Sequence, residues 1–169
     1  MIITRSRVTV TETELQRKIK EGKAFEVSYR KTGLSTDEYL DVYMENPSGS
    51  GKTVHIVAVN VRTMAQGHID IYKGNSGVSG GTTLTPSNLN QKSSNTSSMI
   101  VKVDPSITTL GTLVRPDVSP GGSSVRAVGS LAEVGEERII PEDYNILVRA
   151  INKSSQSNDI AVSIIWWEE

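Results

Sequence analysis

From Ala24 onward, apolar and polar residues alternate with a period of two, and this alternation constrains the fold more than any other feature of the sequence. Phe25, Val27 and Tyr29 alternate with polar residues, and similar runs recur up to Trp167. Successive side chains of an extended strand point to opposite faces, so such runs predict strands with one buried face. The 18 valines and 15 isoleucines agree with this, because β-branched side chains pack well on a pleated sheet.

The alternating runs are separated by turn residues, and little of the chain has helical periodicity. The predicted strands are residues 24–29, 37–45, 53–63, 67–73, 99–104, 110–114, 123–129, 138–141, 144–152 and 159–167. About nine or ten short strands with this spacing are typical of an antiparallel two-sheet sandwich, most economically a jelly roll. The pattern leaves the pairing order of the strands open.

One short helix is predicted ahead of the sandwich. Thr11 and Glu14 have the spacing of a capping box, and Gly22 suits a left-handed helix end. Leu15 and Ile19 lie one turn apart and give the helix a narrow apolar face. We therefore divide the chain into an N-terminal arm and helix, residues 1–22, and a β-sandwich, residues 23–169.

Two segments stand out as candidate contact regions. Residues 1–10 read as an extended arm, on which Arg5 and Arg7 are candidate interface residues. Residues 74–98 are dominated by Gly, Ser, Thr, Asn and Gln and bury too little apolar area to fold alone. We call residues 74–98 the excursion and expect it to run over the surface between strands.

Several strand residues are predicted to face a partner. The strand 53–63 is apolar on both faces, so Val57 and Val59 are candidate contacts with a symmetry mate. Adjacent Trp residues in a strand face opposite ways, so one ring enters the core and the other, assigned here to Trp167, meets solvent or a partner. Tyr39 and Tyr43 lie on the face of their strand opposite Leu40 and complete the set of candidates.

The segment from Asn46 to Thr53 ends in Gly-Lys-Thr, like a phosphate-binding loop. That loop requires a glycine where this chain has Asn46, and it must be followed by a helix whose first turn meets the phosphate. The residues after Thr53 have the pattern of a strand instead. We therefore predict a turn and no nucleotide binding.

Three other patterns are weak signals for chemistry. The Gly-x-Ser-x-Gly string at residues 77–81 lacks a following helix and a downstream histidine. His55 and His68, with Asp70, form an incomplete metal-ligand set. The carboxylates Glu133, Glu136, Glu137, Glu142 and Asp143 have the composition of solvated turns rather than of a glycosidase pair. We expect no enzymatic activity, no catalytic residues, no cofactor and no metal.

Charge and composition exclude further classes. The formal net charge of −1 gives no general attraction to nucleic acid or to an anionic membrane. No apolar stretch is long enough to span a bilayer, and the first residues do not have the pattern of a secretory signal. The chain has no cysteine, so packing rather than disulfides must hold the fold.

The run from Tyr39 to Ile56, the segment Gly81 to Asn90 with Ser94 to Ser97, and the closing strand pair resemble jelly-roll virion proteins of tailed bacteriophages. The resemblance extends over residues 15–167 and rests on turn and strand signatures. It implies a jelly roll like that of tumour necrosis factor, a homotrimer, and a place in the virion as a capsid decoration protein or a head or tail appendage. It implies no catalytic residues.

The expected function is that of a structural protein that decorates the outside of a phage head as a trimer. Decoration of this kind depends on many modest contacts spread over a repeating lattice. Its expected partners are two further copies of itself and the major capsid protein, and its expected location is the virion after synthesis in the host cytoplasm. The alternative is a tail or fibre module that recognises its host by binding surface glycan through the excursion.

Overall fold

A computed structural model of the chain describes residues 12–120, 129–132 and 137–169. Its one α-helix in these ranges is α1 (Glu14–Lys20), and the strands are numbered β1 to β14 along the chain. The strands form two large antiparallel sheets of six strands each and a two-stranded ribbon.

The first sheet, sheet A, contains both ends of the sandwich sequence. Its strands run in the order β11 (Gly129–Ala132), β3 (Val54–Thr63), β14 (Asn158–Glu168), β1 (Ala24–Leu34) and β7 (Ser87–Asn88), and β12 (Arg138–Ile140) also pairs with β3. The long strands β3, β14 and β1 are adjacent and form the centre of this sheet. Strand β14 therefore has a hydrogen-bonded neighbour on each side.

The second sheet, sheet B, packs against sheet A. Its strands run in the order β10 (Thr112–Ser119), β4 (Gly67–Lys73), β13 (Tyr144–Asn152), β2 (Tyr39–Asn46), β8 (Ile100–Val103) and β6 (Thr82–Leu84). The ribbon pairs β5 (Ser76–Ser79) with β9 (Ser106–Thr109).

The long strands alternate between the two sheets in the manner of a jelly roll. Strands β1, β3 and β14 belong to sheet A, whereas β2, β4 and β13 belong to sheet B, so the chain crosses the sandwich at each of these connections. Each sheet also places a late strand, β14 or β13, between two early ones, which is the double Greek-key order. The prediction of a mostly β, antiparallel two-sheet jelly roll with a short helix is confirmed, and the predicted extended arm, residues 1–10, lies outside the described residues.

The inner faces of the two sheets form one apolar core. Trp166 is its largest fully buried side chain, and its ring lies 6.2 Å from that of Phe25. Other fully buried core residues include Leu40, Val42, Met44, Ile56, Val59, Ile69, Ile71, Val148 and Ile164. At roughly 25 cal/mol per Å² of buried apolar surface, this core supplies the main favourable term in folding.

The helix differs in detail from the prediction. Its capping box joins Thr13 to Gln16, since Thr13 Oγ1 accepts a hydrogen bond from the Gln16 amide and Gln16 Oε1 accepts one from the Thr13 amide. The predicted cap Thr11 lies outside the described residues. Gly22 does end the helix with a positive φ of 70°, as predicted. The buried helix residue is Lys18, whereas the predicted apolar residues Leu15 and Ile19 are only half-buried.

The excursion contains more regular structure than its composition suggests. It includes three short strands, of which β6 pairs with β8 in sheet B and β7 pairs with β1 in sheet A. The excursion thus adds an edge strand to each sheet.

Candidate functional site

The outer face of sheet A, at its end nearest the helix, carries a cluster of aromatic and charged side chains that we call the mooring. It consists of Lys18, His55, Trp167 and Glu169. The rings of His55 and Trp167 stack with 3.6 Å between centroids and 7° between planes. Lys18 Nζ lies 4.3 Å from the centroid of the Trp167 ring, so the helix covers the indole with its ammonium group.

The charges of the mooring pair with one another. Lys18 Nζ donates to Glu169 Oε2 over 3.2 Å, and His55 Nε2 lies 3.2 Å from Glu169 Oε1. The hydrogen bond and positive charge of Lys18 hold the pKa of the Glu169 carboxyl below its usual value. Lys18 is only 4% exposed, so its ammonium group has lost most of its hydration. The contacts with these partners compensate for that loss.

The excursion supplies a second set of contacts to the helix. Nδ2 of Asn88 and Nδ2 of Asn95 both donate to the Gly22 carbonyl, over 2.9 and 3.2 Å, and Nδ2 of Asn90 donates to the Lys20 carbonyl over 3.1 Å. The Lys20 carbonyl belongs to the last residue of the helix and has no partner within it, and the Gly22 carbonyl belongs to the turn that follows. The asparagines therefore cap a helix of seven residues, a length that is unstable alone in water.

The side chain of Glu168 holds the last residues of the excursion. Its buried carboxylate accepts hydrogen bonds from the hydroxyls of Ser97 and Ser98, from the Ser98 amide and from Nε1 of Trp166. The side chains of Asn88, Asn90, Asn95, Ser97 and Ser98 thus form hydrogen bonds within the molecule.

The predicted interface residue Trp167 is covered by the chain itself. Trp166 enters the core, as predicted for one ring of the pair, but Trp167 is only 5% exposed because Lys18 and His55 enclose it. The assignment of Trp167 to solvent or to a partner is wrong for this reason.

Val57 and Val59 are explained by a bulge in β3. The pairing with β14 jumps from Ala58 with Ile165 to Ile56 with Trp166, which leaves Val57 as an extra residue. A bulge reverses the alternation, so Val54 and Ile56 before it and Val59 and Val61 after it all face the core. Val59 is fully buried and is not available to a symmetry mate, and Val57 is half-buried.

Tyr39 and Tyr43 lie on the outer face of sheet B, where the structure gives them different surroundings. Tyr43 is 2% exposed, and its hydroxyl donates to Glu45 Oε2 over 3.0 Å. Burial raises its pKa, so it is a neutral structural residue and not an exposed contact. Tyr39 is 43% exposed, and Cζ of Arg149 lies 4.2 Å from the centroid of its ring.

Arg149 is fixed beneath Tyr39 by a buried carboxylate. Its Nε and Nη2 donate to the two oxygens of Asp41 over 2.8 and 2.7 Å. Asp41 is 1% exposed, and burial raises the pKa of its carboxyl while the hydrogen bonds from Arg149 pull it back only in part. This pair depends on the register of β2 with β13 and cannot be recognised from the sequence alone. Of the predicted interface residues, Tyr39 alone has a largely exposed side chain in the described ranges, and Arg5 and Arg7 lie outside them.

The backbone amides of the glycine-rich segment before β3 bind a carboxylate of the same chain. The amides of Gly49 and Gly51 both donate to the carboxylate of Glu142, the latter over 3.2 Å. Strand β3 begins at Val54, so the prediction of a turn followed by a strand is confirmed. The loop amides that would bind a phosphate are occupied by this carboxylate.

The remaining sequence patterns do not converge. His55 lies in sheet A, whereas His68 and Asp70 lie in β4 of sheet B, so the predicted ligands do not meet. The string at residues 77–81 is part of β5 and the turn after it. Glu137 approaches His55 Nδ1 at 3.1 Å, Asp143 lies in a turn, and Glu133 and Glu136 lie outside the described residues.

Within the described ranges, no three His, Cys, Asp or Glu side chains are grouped in a way that could hold a metal ion. The helix in that part of the chain is too short and too polar to cross a membrane. No protein-family model, curated protein or solved structure matches the chain.

One surface was not anticipated from the sequence. A recess of about 500 Å³ lies on the outer face of sheet A between Arg30 and Arg62. Most of its lining residues occupy alternate, outward-facing positions of three strands, and Tyr29 and Val162 between them pack with the core. A sequence shows such a grouping only when the strand order and register are known.

Proposed function

We propose that this protein is a non-enzymatic decoration protein of a virion, attached to the major capsid protein through the segment ahead of Glu12. The observation that carries the proposal is the mooring. Any segment ahead of Glu12 is connected to the sandwich through α1, and the chain devotes a buried lysine, a stacked tryptophan and three asparagine caps to holding this one short helix. A helix that only closed the sandwich would need an apolar face, which Leu15 and Ile19 provide only in part.

The mooring suits a segment that carries load. Lys18 and Glu169 join the helix to the residue after β14, and Trp167 of β14 is paired with both β1 and β3. A pull on the helix is therefore transmitted to the central strands of sheet A and not to a loop. Decoration requires many modest contacts over a repeating lattice, so a firm connection at each copy is what the task needs.

The proposed homotrimer needs separate support. The strand that is apolar on both faces, which suggested a symmetry mate, is accounted for within one chain by the bulge at Val57. A trimer remains part of the proposal, and sedimentation equilibrium of the purified protein tests it directly. A monomer at all concentrations would remove it without affecting attachment through the N-terminal segment.

Co-sedimentation with undecorated phage heads tests the proposed attachment. The full chain should sediment with the heads, and a variant lacking residues 1–11 should remain in the supernatant. Lys18→Ala should bind more weakly than the full chain, because it loosens the helix, whereas Lys20→Ala on the exposed side of the same helix is the matched control. Equal binding by the full and shortened chains, or no binding by either, would contradict the proposal.

The alternative of host recognition through glycan bound to the excursion has less support. Asn88, Asn90, Asn95, Ser97 and Ser98 direct their hydrogen bonds to the helix and to Glu168. A glycan would have to displace these bonds or use other residues of the excursion. Binding of a glycan array that is lost when residues 76–84 are shortened would favour this alternative over decoration.

A further inference from the structure

The recess on the outer face of sheet A is built from two adjacent rows of side chains. The first row runs across the three central strands as Ser28, Ser163 and Asn60, and the second runs as Arg30, Ala161 and Arg62. Neighbouring strands lie about 4.8 Å apart, so Arg30 and Arg62 are roughly 10 Å apart at Cα with the small Ala161 between them. The two rows are about 7 Å apart along the strands.

The polar groups of these rows are available. Ser28, Arg30, Asn60, Arg62 and Ser163 make no side-chain hydrogen bond or ion pair with any other part of the chain that the structure describes. Arg30, Arg62 and Ser28 are exposed, and Asn60 and Ser163 are half-buried. Arg149 of sheet B, by contrast, donates two hydrogen bonds to Asp41.

Two arginines that have no partner among the described residues, one on either side of an alanine, are suited to a carboxylate. A guanidinium group presents a planar set of donors that matches a carboxylate in pairs, and Ala161 leaves the space above the sheet open for it. Both arginines can turn toward this space because each has a long, flexible side chain. The row of Ser28, Ser163 and Asn60 then offers hydroxyl and amide groups that both donate and accept hydrogen bonds.

The recess does not suit a peptide. An extended peptide usually binds a sheet by adding to an edge strand, but β14 is a central strand whose backbone groups are paired with β1 and β3. Protein partners also depend on a buried apolar anchor. The apolar residues of the lining offer none that faces the recess, because Ala161 is small and the side chains of Tyr29 and Val162 pack with the core. A ligand dense in hydroxyls and bearing one carboxylate uses every group present.

We propose that this recess binds an acidic saccharide, with the sugar carboxylate held between Arg30 and Arg62 and the sugar hydroxyls bonded to Ser28, Ser163 and Asn60. Tyr29, the aromatic residue of the lining, packs against the core and gives a sugar no platform, so a single copy binds with a dissociation constant on the order of 1 mM. Many copies on one surface raise the effective affinity. The proposal is independent of the proposed attachment to a capsid, which uses the segment ahead of Glu12.

Titration of the full, isotopically labelled chain with sodium glucuronate and with N-acetylneuraminic acid, followed by amide chemical shifts, tests the site. The expected shifts are confined to residues 28–30, 60–62 and 161–163. Glucose and the methyl ester of glucuronate, which lack the charge, should bind at least tenfold more weakly. Equal binding of the neutral and acidic sugars, or no shifts in these strands at high millimolar concentrations, would overturn the proposal.

Variants separate the two rows. Arg30→Met/Arg62→Met should abolish binding of the acidic sugars, Arg30→Lys/Arg62→Lys should weaken it because a lysine cannot pair with both oxygens, and Arg17→Met on the helix should leave it unchanged. Asn60→Ala/Ser163→Ala should weaken the sugars but not acetate. Melting temperatures equal to that of the parent chain show that each variant is folded.

Two further probes define what else would refute it. Acetate that binds as tightly as glucuronate would reduce the recess to a general anion site. A short peptide of alternating Glu and Ser that binds more tightly than the sugars, with shifts in the same strands, would assign the recess to a protein partner instead.

Discussion

Arg149 on sheet B and the two arginines Arg30 and Arg62 on sheet A have opposite surroundings. On sheet B, Arg149 lies under Tyr39 and donates two hydrogen bonds to the buried Asp41, so its charge is paired within the molecule. On sheet A, Arg30 and Arg62 are exposed and have no partner in the described part of the chain. Arg149 therefore contributes to stability, whereas the other two contribute little to it and are free to bind a ligand.

The largest expected effect is the loss of Arg149. Arg149→Met leaves the Asp41 carboxylate buried without its partner, and removing one member of a buried pair costs about 3 kcal/mol or more. Urea unfolding of the variant and the parent at neutral pH measures the difference in free energy of unfolding. The double variant Asp41→Leu/Arg149→Met should recover most of the loss, because it removes the buried charge as well. A loss below about 1 kcal/mol would show that the pair is not needed for stability.

The pH dependence of Arg149→Met provides a second check on the same pair. Burial already raises the pKa of Asp41 in the parent chain, and removing Arg149 raises it further. A folded-state pKa above the unfolded value means that the folded chain takes up the proton more readily. The deficit of the variant should therefore be largest at neutral pH and shrink as the pH falls through the raised pKa toward the ordinary value of aspartate. A deficit that does not change with pH would contradict this.

The next largest loss of stability is expected from a substitution in the mooring. Lys18→Ala removes the hydrogen bond to Glu169, the contact of the ammonium group with Trp167 and the packing of the lysine stem, and we expect a loss of about 1–2 kcal/mol. Hydrogen exchange should show the amides of α1 opening more readily, while those of β14 remain protected. Lys20→Ala, at an exposed position of the same helix, is the control and should change stability by less than about 0.5 kcal/mol.

The sequence predicted the faces of most strands but not what covers them. Alternation in β1, β2 and β13 identifies their core residues because the period of two is a local property of the backbone. The bulge at Val57 is invisible locally, since an extra residue is recognised only against its partner strand, and this is why Val59 was assigned to an interface. The enclosure of Trp167 by Lys18 depends in the same way on where the helix lies.

Arg30 and Arg62, which have no partner among the described residues, cannot be distinguished from Arg149 in the sequence. Arg30, Arg62 and Arg149 each occupy an outward-facing position of a strand, and nothing in the residues beside them distinguishes them. Their difference arises from strand order and register: β2 places Asp41 opposite Arg149, whereas β14 places Ala161 opposite both Arg30 and Arg62. Candidate ligand-binding residues of this kind can be recognised only once the strand order is known.

A smaller effect is expected at the glycine-rich segment before β3, where Glu142 saturates backbone donors as Asp41 saturates Arg149. Glu142→Ala leaves the amides of Gly49 and Gly51 to water, and we expect a loss of about 1 kcal/mol. Their hydrogen exchange should accelerate. Addition of magnesium ATP to the parent chain should give no chemical shift changes at Gly51, Lys52 or Thr53, and such changes would contradict the assignment of this segment as a structural turn.

The smallest effect is expected where the proposed ligand site lies, and it completes the comparison of the arginines. Arg30→Met and Arg62→Met remove charges that have no partner among the described residues, so neither should change the free energy of unfolding by more than about 0.5 kcal/mol. Urea unfolding in the same buffer as for Arg149→Met makes the three variants directly comparable, since each replaces an arginine of a central strand with the same side chain. If either variant on sheet A loses as much stability as Arg149→Met, that arginine is structural and the recess loses its claim to a ligand. If neither variant loses stability and acidic saccharides no longer bind to them, Arg30 and Arg62 serve ligand binding and do not contribute to folding.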